Sequence, residues 1–206
     1  MAVNNNEGLV NTRQITKYQT GKTLLELNDR MVVNDNNQFG RIHSAFSKIH
    51  VVALDYSKGT GSLTVKADLN IDPIVILYLA EEVMIKGDQL NYSEQKILAH
   101  KKNPENEKES RVTIFSAKYN SKMRYPWNII VENGWGVAVK QPTGGTSLGR
   151  GTYRKDKQVK IVMADNEFKK MLIATRNYIQ KFEHFAFFKL MKKRTLFEEE
   201  KRKEKK

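Results

Sequence analysis

The run Gly144-Gly145-Thr146-Ser147-Leu148-Gly149-Arg150-Gly151-Thr152-Tyr153-Arg154-Lys155 combines the residue types that hold a phosphate chain. Its glycines let backbone N–H groups approach closely, Arg150, Arg154 and Lys155 supply the attraction, and Tyr153 offers a ring for a base. A second mixture of cations and rings, Lys118-Tyr119-Asn120-Ser121-Lys122-Met123-Arg124-Tyr125, falls at a predicted strand end. There the charges of Lys118, Lys122 and Arg124 can follow a flexible backbone while Tyr119 and Tyr125 take splayed bases. Lys58, in a turn, and Lys66, on the wet face of a strand, complete the candidate contacts. The chemistry is binding: counterion release at phosphates plus stacking on rings.

Other chemistries lack their parts. Thr20-Gly21-Lys22-Thr23 has the end of a phosphate loop, but the required earlier glycine is Thr16. His43, His50, His100 and His184 are scattered, and with no cysteine no metal-ligand spacing emerges. Glu198-Glu199-Glu200 lies in a charged tail and Glu81-Glu82 on a helix flank, so no carboxylate pair points to two-metal phosphodiester chemistry. The expectation is a non-enzyme without metal or cofactor.

The elements that must position these residues can be read from periodicity. Residues 1–12 are Asn-rich and read as disordered, and 1–38 as an N-terminal segment in which Thr23–Val33 is a strand or a short helix. Phe39–Tyr56 reads as extended, and alternation of Leu63, Val65, Ala67 and Leu69 with polar residues predicts a half-buried strand. Asp72-Pro73 opens a helix with an apolar stripe (Ile74, Leu77, Tyr78, Ala80, Val83, Met84) that Gly87 ends. Ser93–Lys102 reads as a second short helix and Pro104–Ser110 as a polar connector.

In the second half, Arg111–Ser121 is a predicted strand. Asn133-Gly134 between two apolar runs predicts a two-residue hairpin, with Trp127 and Trp135 on opposite faces, one under a helix and the other open to a base. After the loop 142–157, Val159–Ala164 is a strand and Asp165 caps a helix carrying Phe168, Met171, Leu172, Tyr178, Ile179, Phe182 and Phe185. The order is that of an α+β protein with two antiparallel curved β-sheets, each followed by a bracing α-helix. One domain, 39–185, would hold both repeats (39–87 and 111–185), and 186–206 form an apolar, then charged, tail. Phe185, Phe187, Phe188 and Met191 are too apolar for a lone helix end and point to a homo-oligomer.

Composition agrees with a polyanion partner. The 206 residues carry a net charge of +13, of which Lys192–Lys206 supply only +4, so the body itself is basic. No apolar run approaches the ~20 residues that span a bilayer. The start lacks a signal-peptide pattern, and the absence of cysteine fits a cytoplasmic chain that does not meet the membrane.

Taken together the residues resemble the Whirly family and the related positive-cofactor-four-like coactivator fold. The family's Lys-Gly-Lys-Ala-Ala-Leu motif is similar in placement to Tyr56–Val65, where Lys58, Gly59 and Leu63 fit and Ser62 stands where Ala would. In the second half Trp127–Val131, Gly134–Val139, Val159–Met163 and Glu167-Phe168 follow the coactivator pattern. The resemblance covers about Phe39–Phe182. It implies single-stranded DNA or RNA laid on sheet edges with little sequence preference, a dimeric or tetrameric assembly, and Lys58 in a strand linked to binding and assembly. The function expected is single-stranded DNA binding in replication, recombination and annealing, or DNA transfer. The alternatives are a duplex-binding or replication-initiation module, and a scaffold protein with a basic face.

Overall fold

A computed structural model describes residues 13–33 and 47–204. The chain is α+β, with two antiparallel sheets, one short helix and one long C-terminal helix. The first sheet is a meander, β1 (Gln14–Gln19), β2 (Thr23–Arg30), β3 (Lys48–Asp55) and β4 (Val65–Ile71), in that order. Helix α1 (Pro73–Lys86) follows. The second sheet takes β5 (Asn91–Asn103), β6 (Asn106–Tyr119), β7 (Trp127–Lys140) and β9 (Arg154–Met163), with the short β8 (Thr146–Leu148) on the far end of β7. Helix α2 (Asp165–Glu204) closes the chain.

Period-2 alternation builds one core from both sheets. Leu25, Leu27, Ile49, Val51, Ala53, Ala67, Leu69 and Ile71 from the first meet Phe115, Ala117, Ile129, Val131, Val159 and Ile161 from the second in one cluster of buried side chains. From α1, Ile76, Leu79, Ala80 and Val83 join it, and from α2 Phe168, Met171, Leu172 and Ile179. Tyr178 on α2 also donates to Asp29 on β2 at 2.7 Å, tying the long helix to the first sheet. Burial, then that bond, pushes the phenol up to about 12.

Several expectations are corrected here. The first sheet begins at Gln14, so two of its strands lie upstream of the expected boundary at 39, and Thr23–Arg30 is a strand. Residues 1–12 and Phe39–Phe46 lie outside the described residues. Leu63 sits in a 3-10 turn ahead of β4 and is exposed. Lys58, for which the resemblance implies a strand, stands in the turn after β3.

Ser93–Lys102 is strand β5, not helix. Its Glu, Gln and Lys favour helix locally, but pairing with β6 from Asn91 to Asn103 prevails. The hairpin expected at Asn133-Gly134 does not form, because β7 runs unbroken through both residues and Gly134 is absent from the positive-φ glycines. A tight turn falls instead at Pro104-Glu105, where Asn103 Oδ1 accepts the Glu105 N–H at 3.1 Å and makes the turn that Asn favours.

The helix opening at Asp72-Pro73 is as read, with Pro73 in its first turn, but the Asp72 carboxylate does not cap it. It accepts from Lys48 on β3 and Lys96 on β5, both at 2.6 Å, and so pins the two sheets together. The expected break at 186 is absent from the backbone, since α2 is continuous from Asp165 to Glu204.

Candidate nucleic-acid interface

The two sheets part beyond their shared core, and the gap is an open groove of about 470 Å³. Arg30, His50 and Asn70 line it from the first sheet, and Lys102, Arg111 and Trp135 from the second. Register explains the second wall. Leu98, Arg111, Trp135 and Arg154 are successive partners across β5, β6, β7 and β9, so they form one row over about 14 Å. The Arg111 guanidinium lies over the Trp135 ring, 5.3 Å from its centroid, and within 3.7 Å of Asp156. Arg154 pairs with Glu109 at 3.2 Å. Lys101 also lines the groove, so four Arg and Lys side chains stand against one carboxylate, Asp68.

Two buried polar contacts hold the walls in register. Asn133, fully buried on β7, uses its amide as a missing strand partner: its Oδ1 accepts the Asp68 N–H at 3.1 Å and its Nδ2 donates to the Asp68 carbonyl at 2.8 Å. The Asp68 backbone N–H and carbonyl on the outer edge of β4 are thereby satisfied. Asp68 also meets His50 Nε2 at 2.8 Å. That hydrogen bond, against the opposing effect of burial, holds the Asp68 carboxyl below its ordinary range, helped by Lys66 and Arg111. Gly134 beside Asn133 has its own task. A Cβ there would meet the Arg154 carbonyl at 2.5 Å and the Tyr153 ring at 2.6 Å, so glycine lets β9 and Tyr153 close over β7.

The two tryptophans separate in depth rather than by face. Eight residues apart in one continuous strand, they share a side of β7. Trp127 is fully buried, 4.6 Å from Phe168 between ring centroids, and its Nε1–H donates to Asp165 at 2.9 Å. Trp135 lies past the core and is half-buried in the groove wall. The expectation that they point to opposite faces is therefore corrected, with the hairpin that implied it.

The sequence candidates fall in two places. Lys118 pairs with Asn128 and Arg154 with Trp135, so the clusters sit seven strand residues apart, about 23 Å, at opposite ends of the second sheet. At one end, Lys118, Lys122, Arg124 and Tyr125 are exposed, with Arg124 stacked 5.5 Å over Tyr125. Tyr119 is turned into the core, edge-on to Trp127 at 5.1 Å, and is not presented as a free ring.

At the other end, Arg150 is exposed in a turn, while Arg154 and Lys155 already belong to β9. Lys155 donates to Gln158 at 2.9 Å. Tyr153 lies across Gly134 with its hydroxyl donating to Glu132, and burial with that carboxylate pushes its pKa up, so its ring is fixed on the sheet. Lys66 lines a shallower pocket on the first sheet with Arg13, Arg30 and His50, next to the groove. Lys58 stands exposed in its turn.

Sequence reasoning missed Arg30, Lys101, Lys102 and Arg111. A usable signal was present, the run His100-Lys101-Lys102 followed by Arg111, but it was split between residues read as the end of a helix and residues read as the start of a strand beyond a connector. Among the described residues no group of His, Asp and Glu is arranged to hold a metal ion, and no helix is long and apolar enough to cross a membrane. No family model matches the chain, and neither a curated protein nor a solved structure does.

Proposed function

We propose that the chain binds single-stranded nucleic acid, DNA first, by laying the strand through the groove between its sheets. Arg30, Lys101, Lys102, Arg111 and Arg154 neutralise phosphates, and Trp135 stacks on a base. The observation that carries this reading is Trp135, half-buried in a basic groove with Arg111 over its ring. Phosphate contacts give affinity and salt dependence, and stacking gives a contact that every base can make, hence little sequence preference. A fully paired duplex keeps its bases stacked away from such a wall. The reading favours a role in replication, recombination and annealing, or DNA transfer, in the cytoplasm, and needs no catalytic step.

The finer architecture belongs to the same proposal. Four strands then α1, and four long strands with α2, support a pseudo-repeat of the Whirly and positive-cofactor-four-like kind. The domain would then start near Gln14 instead of at 39.

The test is anisotropy of labelled oligo-dT and of a matched duplex across a salt series, with tryptophan emission followed in parallel. Single-strand preference is expected, with quenching that disappears in Trp135→Phe while the buried Trp127 remains as an unquenched reference. Equal, weak binding to both nucleic acids that vanishes at moderate salt would overturn the proposal in favour of a scaffold with a basic face. Tighter, sequence-dependent duplex binding would overturn it in favour of a duplex-binding module.

A further inference from the structure

The last part of α2 leaves the body. Ala186 is the last buried side chain among the described residues, and beyond it Phe187, Phe188, Met191, Leu196 and Phe197 are exposed. The charges there are sorted into blocks, Lys192-Lys193-Arg194, then Glu198-Glu199-Glu200, then Lys201-Arg202-Lys203. Glu198 and Glu199 precede Arg202 and Lys203 by four residues, the better order within one helix, but between the first two blocks the order is the poorer one. A cation four residues ahead of a Glu is the weaker arrangement of the pair, and three carboxylates stand toward the negative end of the helix dipole. Arg194 does reach Glu198 at 3.0 Å along its own helix, with both side chains more than half exposed.

A second copy running antiparallel makes the same order complementary. A two-fold axis at Leu196 brings the basic block 192–194 of each copy level with the acidic block 198–200 of the other, and on the side that carries Leu196 it sets Lys192 opposite Glu200, twice. Phe188, Lys192, Leu196 and Glu200 follow one another at four-residue spacing, so the apolar and charged partners share one side of the helix. Lys189 against Lys203 is the like-charged match, at the periphery where water screens it.

The bodies do not obstruct this pairing. Ala186, the last buried side chain, lies ten residues before Leu196, about 15 Å along the helix, so the two bodies stand about 30 Å apart along the axis, and Lys203 of the second copy ends level with Lys189, short of the body. We propose that residues 188–203 form an antiparallel helix pair with a second copy of this chain, centred on Leu196. This makes the expected self-association specific, and it stands independently of the groove.

Sedimentation velocity of the full chain tests it. Wild type is expected to show a concentration-dependent dimer that weakens with salt. K192E/K193E/R194E and E198K/E199K/E200K, each with like charges facing across the axis, should self-associate at least tenfold more weakly. A 1:1 mixture of the two should recover a heterodimer, because an acidic helix then meets a basic one. Circular dichroism and thermal melting of each variant check that the helix and fold persist. A wild type monomeric at every concentration, variants that associate like wild type, or a mixture that stays monomeric would each overturn the proposal. Oligo-dT binding of wild type, read separately, reports on the groove: pairing without binding would overturn the proposed function alone, and binding without pairing would overturn this inference alone.

Discussion

Trp127 and Trp135 illustrate how one residue type takes two roles in one strand. Trp135→Ala is expected to weaken oligo-dT binding by about tenfold or more, from loss of ~1–3 kcal/mol of stacking, with the melting temperature nearly unchanged. Titration and melting of the same sample check both halves of that expectation. Trp127→Ala should instead cost about 3–5 kcal/mol of stability, since it empties a fully buried site and removes the indole donor from Asp165, which keeps only Lys169. Asn133→Leu should destabilise by roughly 2–5 kcal/mol in denaturant titration, because both backbone groups of Asp68 lose their partner. Gly134→Ala should destabilise by about 1–3 kcal/mol, as the backbone carbonyl it would strike cannot step aside like a flexible side chain. The Asn-Gly pair was legible as a special position, but the turn chemistry that usually explains it was the wrong explanation. Nothing local distinguishes an Asn that shapes a hairpin from one whose amide completes a neighbouring sheet.

Strands and their junctions carry the charge-dependent behaviour. Asp68 and Asp72 both sit at contacts that join β3, β4 and β5, and both carboxyls are held below their ordinary range. For Asp68 the leading cause is the hydrogen bond from His50. For Asp72 burial acts the other way, and the pairs with Lys48 and Lys96 overcome it. A carboxyl depressed in the folded state adds stability that is complete above its unfolded pKa and is lost as pH falls through the folded value. The melting temperature should therefore drop steeply below about pH 4, and Asp72→Asn should flatten that drop while lowering stability near neutrality. At the groove, the slope of log affinity against log salt should shrink by about 0.7 for each phosphate contact removed. Replacing Arg30, Lys102 or Arg111 singly by Ala tests this, and an unchanged slope would remove that residue from the interface. Element type was readable from the Asp72-Pro73 start of α1 and from periodicity in α2 and β4, but the apolar stripe expected on α1 was misplaced, because Ile74, Tyr78 and Met84 are exposed and Ile76 and Leu79 join Ala80 and Val83 in the core. It failed at β5, where a Glu/Lys/Gln-rich segment with helical propensity is stretched by a fourteen-residue neighbour, β6.

At the level of the whole chain, truncation after Leu190 should leave the melting temperature within a few degrees of the full chain, because the described residues beyond it bury no side chain. It should abolish self-association, and sedimentation against calorimetry separates the two outcomes. Much was present in the residues alone. The α+β class, the helix start at Asp72-Pro73, the helical run from Asp165 and the basic body follow from periodicity, proline geometry and charge, which act locally and leave a mark in the order of residues. What the folded arrangement added is long-range. Arg30 and Trp135 lie more than a hundred residues apart and share a wall-to-wall groove only because Asn133 and Asp72 bind two sheets at one height. Lys118 and Arg154, both picked from similar basic and aromatic surroundings, end up at opposite ends of a sheet because antiparallel register sets distance along a strand. Register is the sum of every pair across a sheet, and no short stretch of sequence contains that sum.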